Sequence, residues 1–358
     1  MRDNTAPSGG GGILAISSFL TIERCRVLNN DGGYGRGGGV HVAGPGSTSI
    51  SGSLFEGNVV RSGLAGGHGA GIYQDFETGP LTVSGSTFFR NVGRTTVGLH
   101  NDSSGGGIFS GSKLTLTRSR FVANSASNGA GLLTWNPDVL VDGCEFLRNS
   151  AVGWSTGTET YGGYGAGYVS AGGGIVRNSS FVLNSATNDG GAVTASIDTV
   201  ANPDARLLVH NSVLWGNTAS DPGFVRRAQV NGASWQLRYC IVQGLLQQLP
   251  GEDPPIPASF PGSLDVDPQI VNPAGADGLA ATLDDNARLA VNSPGIDGGS
   301  NSLITPDTLL DLDGHARRID LPSAPDTGEG AAPIVDMGAY EFEPADASAL
   351  FRDGFEAP

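Results

Sequence analysis

The chain has 358 residues, 57 of them glycine, with 38% hydrophobic residues, 15% charged residues and a net charge of −15. Glycine at about twice its usual ~7% calls for many tight turns, while apolar residues spread along the whole length argue against bulk disorder. A single lysine, Lys113, and no basic stripe exclude nucleic-acid binding, and no apolar run approaches the ~20 residues of a membrane-spanning helix.

Repeat material begins at Gly11-Gly12-Ile13, with no signal peptide before it, so the start reads as the trimmed edge of a longer chain. Aligning the chain on Leu81-Thr82-Val83-Ser84-Gly85-Ser86-Thr87-Phe88-Phe89-Arg90-Asn91 brings seven asparagines into one column: Asn30, Asn58, Asn91, Asn124, Asn149, Asn184 and Asn217. Three residues earlier stands a column of Val27, Phe55, Phe88, Phe121, Phe146, Phe181 and Leu214. Eight residues before the asparagine stand Ile22, Ile50, Val83, Leu116, Val141, Val176 and Val209. Alternation with period two marks strands, and recurrent columns mean that successive strands stack in register.

A second strand opens each unit after small residues, at Gly39-Val40, Gly71-Ile72, Gly107-Ile108, Gly131-Leu132, Gly167-Tyr168 and Ala192-Val193. Six residues before the asparagine, Gly52, Gly85, Gly143, Asn178 and Asn211 suit a left-handed bend, although Arg24 and Arg118 share their column. The fold expected is all-β, a right-handed parallel β-helix over 1–245, with the asparagines forming a hydrogen-bonded ladder. A degenerate last unit, Trp235 to Leu245, makes about eight coils, roughly 35 to 40 Å at ~4.8 Å per strand. A β-propeller fits less well, because its blades need about 40 residues.

The three cysteines, Cys25, Cys144 and Cys240, share a column otherwise filled by serine. Rung separations of about 19 and 14 Å exceed the ~7 Å reach of a disulfide, so three free, buried thiols are expected.

Glycine-glycine-apolar followed by Phe-x-x-Asn, as in Gly38-Gly39-Val40 with Phe55-Glu56-Gly57-Asn58 and Gly106-Gly107-Ile108 with Phe121-Val122-Ala123-Asn124, resembles the repeat of chlamydial polymorphic outer-membrane proteins and similar bacterial β-helix proteins. The resemblance implies secretion or surface exposure, and often adhesion. Residues 246–264 are proline-rich and read as a linker or loop. Beyond them, Asp267-Pro268-Gln269-Ile270-Val271-Asn272-Pro273, Leu289 to Asp297, Asp311-Leu312-Asp313-Gly314 and Val335 to Glu341 are similar to the choice-of-anchor Q module of secreted bacterial β-helix proteins. This module, 265–343, is expected to cap the open end of the solenoid. The tail, 344–358, resembles a short sorting signal of exported gammaproteobacterial proteins.

Candidate chemistry is sparse. Gly67-His68-Gly69 resembles a polygalacturonase motif, but the Arg-x-Lys that family also needs is missing and the stretch matches the repeat's own glycine strand. Asp75, Glu77, Asp102, Asp138 and Asp142 are scattered over different coils, where lyase chemistry would need a carboxylate cluster with a base. Asp311-x-Asp313-Gly314 is too short for a calcium loop and reads as a turn with an internal contact to Arg317; the histidines show no metal-ligand spacing, so neither metal nor cofactor is expected. The most suggestive segment follows Asn149 and holds Trp154, Tyr161 and Tyr164, with Trp135 and Asp138 on a neighbouring loop. Flat aromatics among small polar residues suit stacking on sugars.

The expected function is an extracellular or cell-surface binding or scaffold protein that contacts polysaccharide or cell-surface glycan through lateral loops. The alternatives are a polysaccharide lyase or glycoside hydrolase with a lateral groove, and a spacer in a larger exported adhesin.

Overall fold

A computed structural model describes residues 1–62, 66–95, 102–155, 160–196, 204–220, 223–232, 234–248, 259–306 and 308–343. The expected tail and the middle of the proline-rich stretch lie outside the described residues.

Strands of two to four residues are too short to form a core alone, and stacking supplies one. A typical coil runs through Val40–Ala43, Thr48–Ser51 and Leu54–Glu56, and equivalent strands stack into three parallel sheets of eight strands each. These are termed the first, second and third sheets in order of chain passage. The chain is a right-handed parallel β-helix. Its register is the one the columns imply, with Val83 paired to Ile50 and Leu116, and Phe88 to Phe55 and Phe121. The phenylalanines form a stack inside the coil, with ring centroids 4.9 Å apart for Phe55–Phe88, 4.7 Å for Phe88–Phe121 and Phe121–Phe146, and 4.5 Å for Phe146–Phe181.

The asparagine ladder is continuous. Each side chain accepts, through Oδ1, the backbone N–H and the Nδ2–H of the asparagine before it, as Asn124 does from Asn91 at 3.0 Å in both bonds. From Asn58 onward, its Nδ2 also donates to the carbonyl of the inward residue one rung back, Val27 for Asn58 and Phe88 for Asn124, the latter at 2.8 Å. Two members were not evident from the columns. Asn4 opens the ladder on Asn30, and Gln229, on the short helix Val225–Gln229, closes it on Asn217. Both lie outside full repeats.

The bend column is left-handed throughout, arginines included: Arg24, Gly52, Arg118, Gly143 and Asn211 all have φ between 44° and 61°. A second left-handed column stands immediately before the asparagines and includes Arg90, Ala123, Arg148 and Leu183. The glycine opening each first-sheet strand has a different cause. A Cβ on Gly107 would meet a ring carbon of Phe121 at 2.6 Å and the carbonyl oxygen of Gly131 at 2.5 Å, so crowding against the phenylalanine stack excludes larger residues.

The thiols need one correction. Cys144 and Cys240 are buried, but Cys25 is exposed. Cys144 and Cys240 each direct sulfur to a carbonyl of the preceding rung, Leu116 or Val209. Cys25 sits in the first rung, and its sulfur donates to the carbonyl of Glu23 in its own rung. Burial pushes both inner thiols up to about 12. A disulfide-exchange reagent at pH 8 is therefore expected to titrate one thiol in the native protein and three in denaturant; native labelling of Cys144 or Cys240 would contradict the burial.

Residues 265–343 do not close the solenoid end as expected; they lie along its side. Glu145, Arg120, Arg148, Arg177, Ser180 and Asn211, on successive rungs, all hydrogen-bond to this module. The module covers an outward apolar column of the third sheet, Phe89, Val122, Leu147 and Val182, with Ala287, Ile270 and Leu283. The last rung is continued instead by the end of the proline-rich stretch. Ser263 accepts the Cys240 amide, Leu264 pairs with Ile241, and Phe260 stacks on Trp235. Those contacts extend the helix by part of a ninth rung, so 259–264 belongs to the coil rather than to a linker.

Candidate functional site

The first sheet has one face in the core and the other turned outward. Strand register lines up the outward residues His41, Tyr73, Phe109, Leu133, Val169 and Thr194 across successive rungs. In place of the polar residues usual on a solvated sheet face, the middle four are apolar or aromatic and pack together. They floor a lateral groove of about 530 Å³.

One wall is a line of turn residues bridged rung to rung, Arg36, His68, Ser104, Asn128 and Tyr164. The other wall comes from the loops that leave the sheet, with Phe76 and Trp135 projecting. These rings touch one another. Tyr73 and Phe109 stack at 5.0 Å, Phe76 meets Phe109 edge-on at 6.1 Å and Trp135 at 6.3 Å, and His68 lies 5.0 Å from Phe109. Phe76 and Trp135 nevertheless remain about half exposed, at 49% and 53%.

Among the described lining residues, charge stands at one end of the groove, on Arg36. Arg36 lies over the Tyr73 ring at 5.0 Å and 3.6 Å from Asp75, whose Oδ1 also accepts the Tyr73 hydroxyl at 3.2 Å. Burial holds the Tyr73 phenol above its ordinary range and pushes the His41 imidazole below its ordinary value, a tendency Asp75 opposes and Arg36 adds to. A neutral His41 ring then packs edge-on to Tyr73 at 5.1 Å.

The residues singled out from sequence divide between two places. Trp135 and Tyr164 both line the groove, whereas Asp138 is exposed on the Trp135 loop and does not line it. Trp154 and Tyr161 pair across a small antiparallel hairpin with their rings stacked at 4.6 Å, and Trp154 Nε1 donates to Asp102 at 2.8 Å. Asn128 joins the two places: its Nδ2 donates to Asp102, and its Oδ1 accepts the Tyr164 amide. Asp142 lies elsewhere, buried against Arg177, Asn178 and Thr308 beneath the module, and Glu77 is exposed at a turn. No two of the five scattered carboxylates line the groove.

Phe76 and the floor residues Tyr73, Phe109, Leu133 and Val169 were not singled out from the sequence, and His68 was weighed there only as part of a catalytic motif. The available signal was the residue after each inward apolar one in the first sheet: Tyr73, Phe109, Leu133 and Val169 break the expected outward polarity.

Among the described residues, two clusters could hold a cation, both in the module and away from the groove: Asp311, Asp313 and His315, and Asp297, Asp320 and Asp326. In the first, Asp311 accepts the amides of Asp313, His315 and Glu341, and Asp313 pairs with Arg288. Arg317 pairs with Glu341 at 3.7 Å, in place of the direct contact to Asp311 that the turn suggested. The chain has no significant match among protein-family models, curated proteins or solved structures.

Proposed function

We propose that this chain is a secreted or cell-surface carbohydrate-binding β-helix that holds a segment of polysaccharide along the groove of its first sheet without cleaving it. The observation that carries this reading is the groove itself: a floor of packed aromatic and aliphatic side chains bordered by exposed aromatic rings. Aromatic faces suit the apolar faces of sugar rings, and Asn128, Ser104 and Ser196 supply hydrogen-bonding groups beside them. Register fixes this pattern to a rigid scaffold, so little ordering cost is added on binding.

The argument against catalysis is that hydrolysis of a glycosidic bond ordinarily uses two flanking carboxyl groups, whereas the described lining residues include no carboxylate, and Asp75 beside them is engaged with Arg36 and Tyr73. The test is a glycan array followed by calorimetry on the best ligand. Trp135→Ala should weaken binding at least tenfold, about 1.4 kcal/mol, and Phe76→Ala should act in the same direction. Trp154→Ala should do less, because that ring is stacked on Tyr161. Binding indifferent to both Trp135 and Phe76 would remove the groove from consideration, and release of unsaturated or reducing ends from the ligand would favour the lyase or hydrolase reading.

A further inference from the structure

We infer that the module carries a calcium-binding site formed by Asp297, Asp320 and Asp326. Each offers a carboxylate oxygen, and these oxygens lie within 4.8 Å of one another. Acidic groups often gather on surfaces without consequence, but here one member is not on the surface. Asp297 is fully buried, and its Oδ1 has no hydrogen-bond partner among the described residues. Its Oδ2 accepts only a long bond, 3.4 Å, from the Leu321 amide.

A buried carboxylate oxygen without a donor is costly, and two like charges beside it raise that cost. No described ion pair neutralises any of the three, in contrast to the other acidic group, where Arg288 holds Asp313. A cation between them would supply both the missing partner and the missing charge.

The donors are all carboxylate oxygens, two of them on exposed side chains open to water. That set suits a hard ion taking six to eight oxygens with loose geometry, which is calcium; zinc favours nitrogen and sulfur, and magnesium demands stricter octahedral geometry. The site would tie together three chain segments. The Asp297 carbonyl already accepts the amides of Thr327 and Gly328, and its own amide donates to Asp336 Oδ1 at 2.8 Å. The ion would therefore brace the module from inside and leave the groove alone.

The test uses the full chain stripped with a chelator. Calorimetric titration with calcium chloride should show one saturable site per chain, and calcium should raise the unfolding temperature. Asp326→Asn, at an exposed position, should weaken the binding at least tenfold. The same variant without calcium should unfold at the same or a higher temperature than the parent, because one repulsive charge is gone. That sign separates a cation site from a purely structural role, in which removing the side chain would only destabilise. Asp313→Asn serves as the control and should leave the titration unchanged. Absence of saturable binding at millimolar calcium, binding unaffected by Asp326→Asn, or binding lost in Asp313→Asn would each overturn the assignment.

Discussion

Changing Glu145 to alanine is expected to loosen the 265–343 module from the coil while leaving most of the β-helix folded. Glu145 lies in the third sheet and is fully buried. It accepts Arg120 Nε at 2.8 Å, the Ala287 amide at 2.7 Å and the Tyr340 hydroxyl at 3.0 Å. Alanine would strand two donors from the module and leave a guanidinium without its carboxylate. Breaking a buried pair by removing one partner costs about 3–5 kcal/mol. The coil keeps its own ladder and phenylalanine stack, so the loss falls on the docking contact. Limited proteolysis with mass spectrometry should show the first cuts moving into 265–343, and a dye that binds apolar surface should report exposure of Phe89, Val122 and Leu147. Cleavage at the parent's rate, with no gain in dye binding, would mean that the module is held by its apolar contacts alone.

That docking surface also shows where sequence reasoning ran out. The inward columns were legible because the same core position recurs on every rung, and each repeat restates the constraint: Phe55, Phe88, Phe121, Phe146 and Phe181 form one stack. Outward columns carry no such guarantee. Phe89, Val122, Leu147 and Val182 are as apolar as the inward residues, yet period-two reasoning assigns them to solvent, and only a covering layer explains them. The same blindness applied to the groove, where Tyr73, Phe109, Leu133 and Val169 form an outward apolar column that the module does not cover. Aromatic residues in loops were visible as residue types, so Trp135 and Tyr164 could be singled out, but which of them share a place depends on loop paths that no repeat specifies. Trp154 and Tyr161 face each other for that reason. The left-handed column before the asparagines was only partly visible: Asn29, Gly57 and Gly216 suit that backbone, but Arg90, Ala123, Arg148 and Leu183 share the column, and there stacking imposes a backbone these residues do not choose.

Asn124→Ala should be among the most destabilising substitutions in the chain, and comparison with Asn4→Ala should show why. Removing the Asn124 amide takes the acceptor from both the backbone N–H and the Nδ2–H of Asn91, and takes the donor from the Phe88 carbonyl and from Asn149 Oδ1. All of these asparagines are buried, so water cannot replace what is lost. At about 1–3 kcal/mol for a buried group left unsatisfied, a total near 3–5 kcal/mol is expected, allowing for local relaxation. Asn4 makes the same kind of bond to Asn30, but it is exposed at the ladder's start. There water restores the acceptor's partners, and the loss should stay below about 1 kcal/mol. Urea unfolding followed by circular dichroism measures both, with the midpoint falling far more for Asn124→Ala at similar slope. Equal shifts for the two variants would show that position within the stack does not matter, and that the ladder follows from the fold rather than stabilising it.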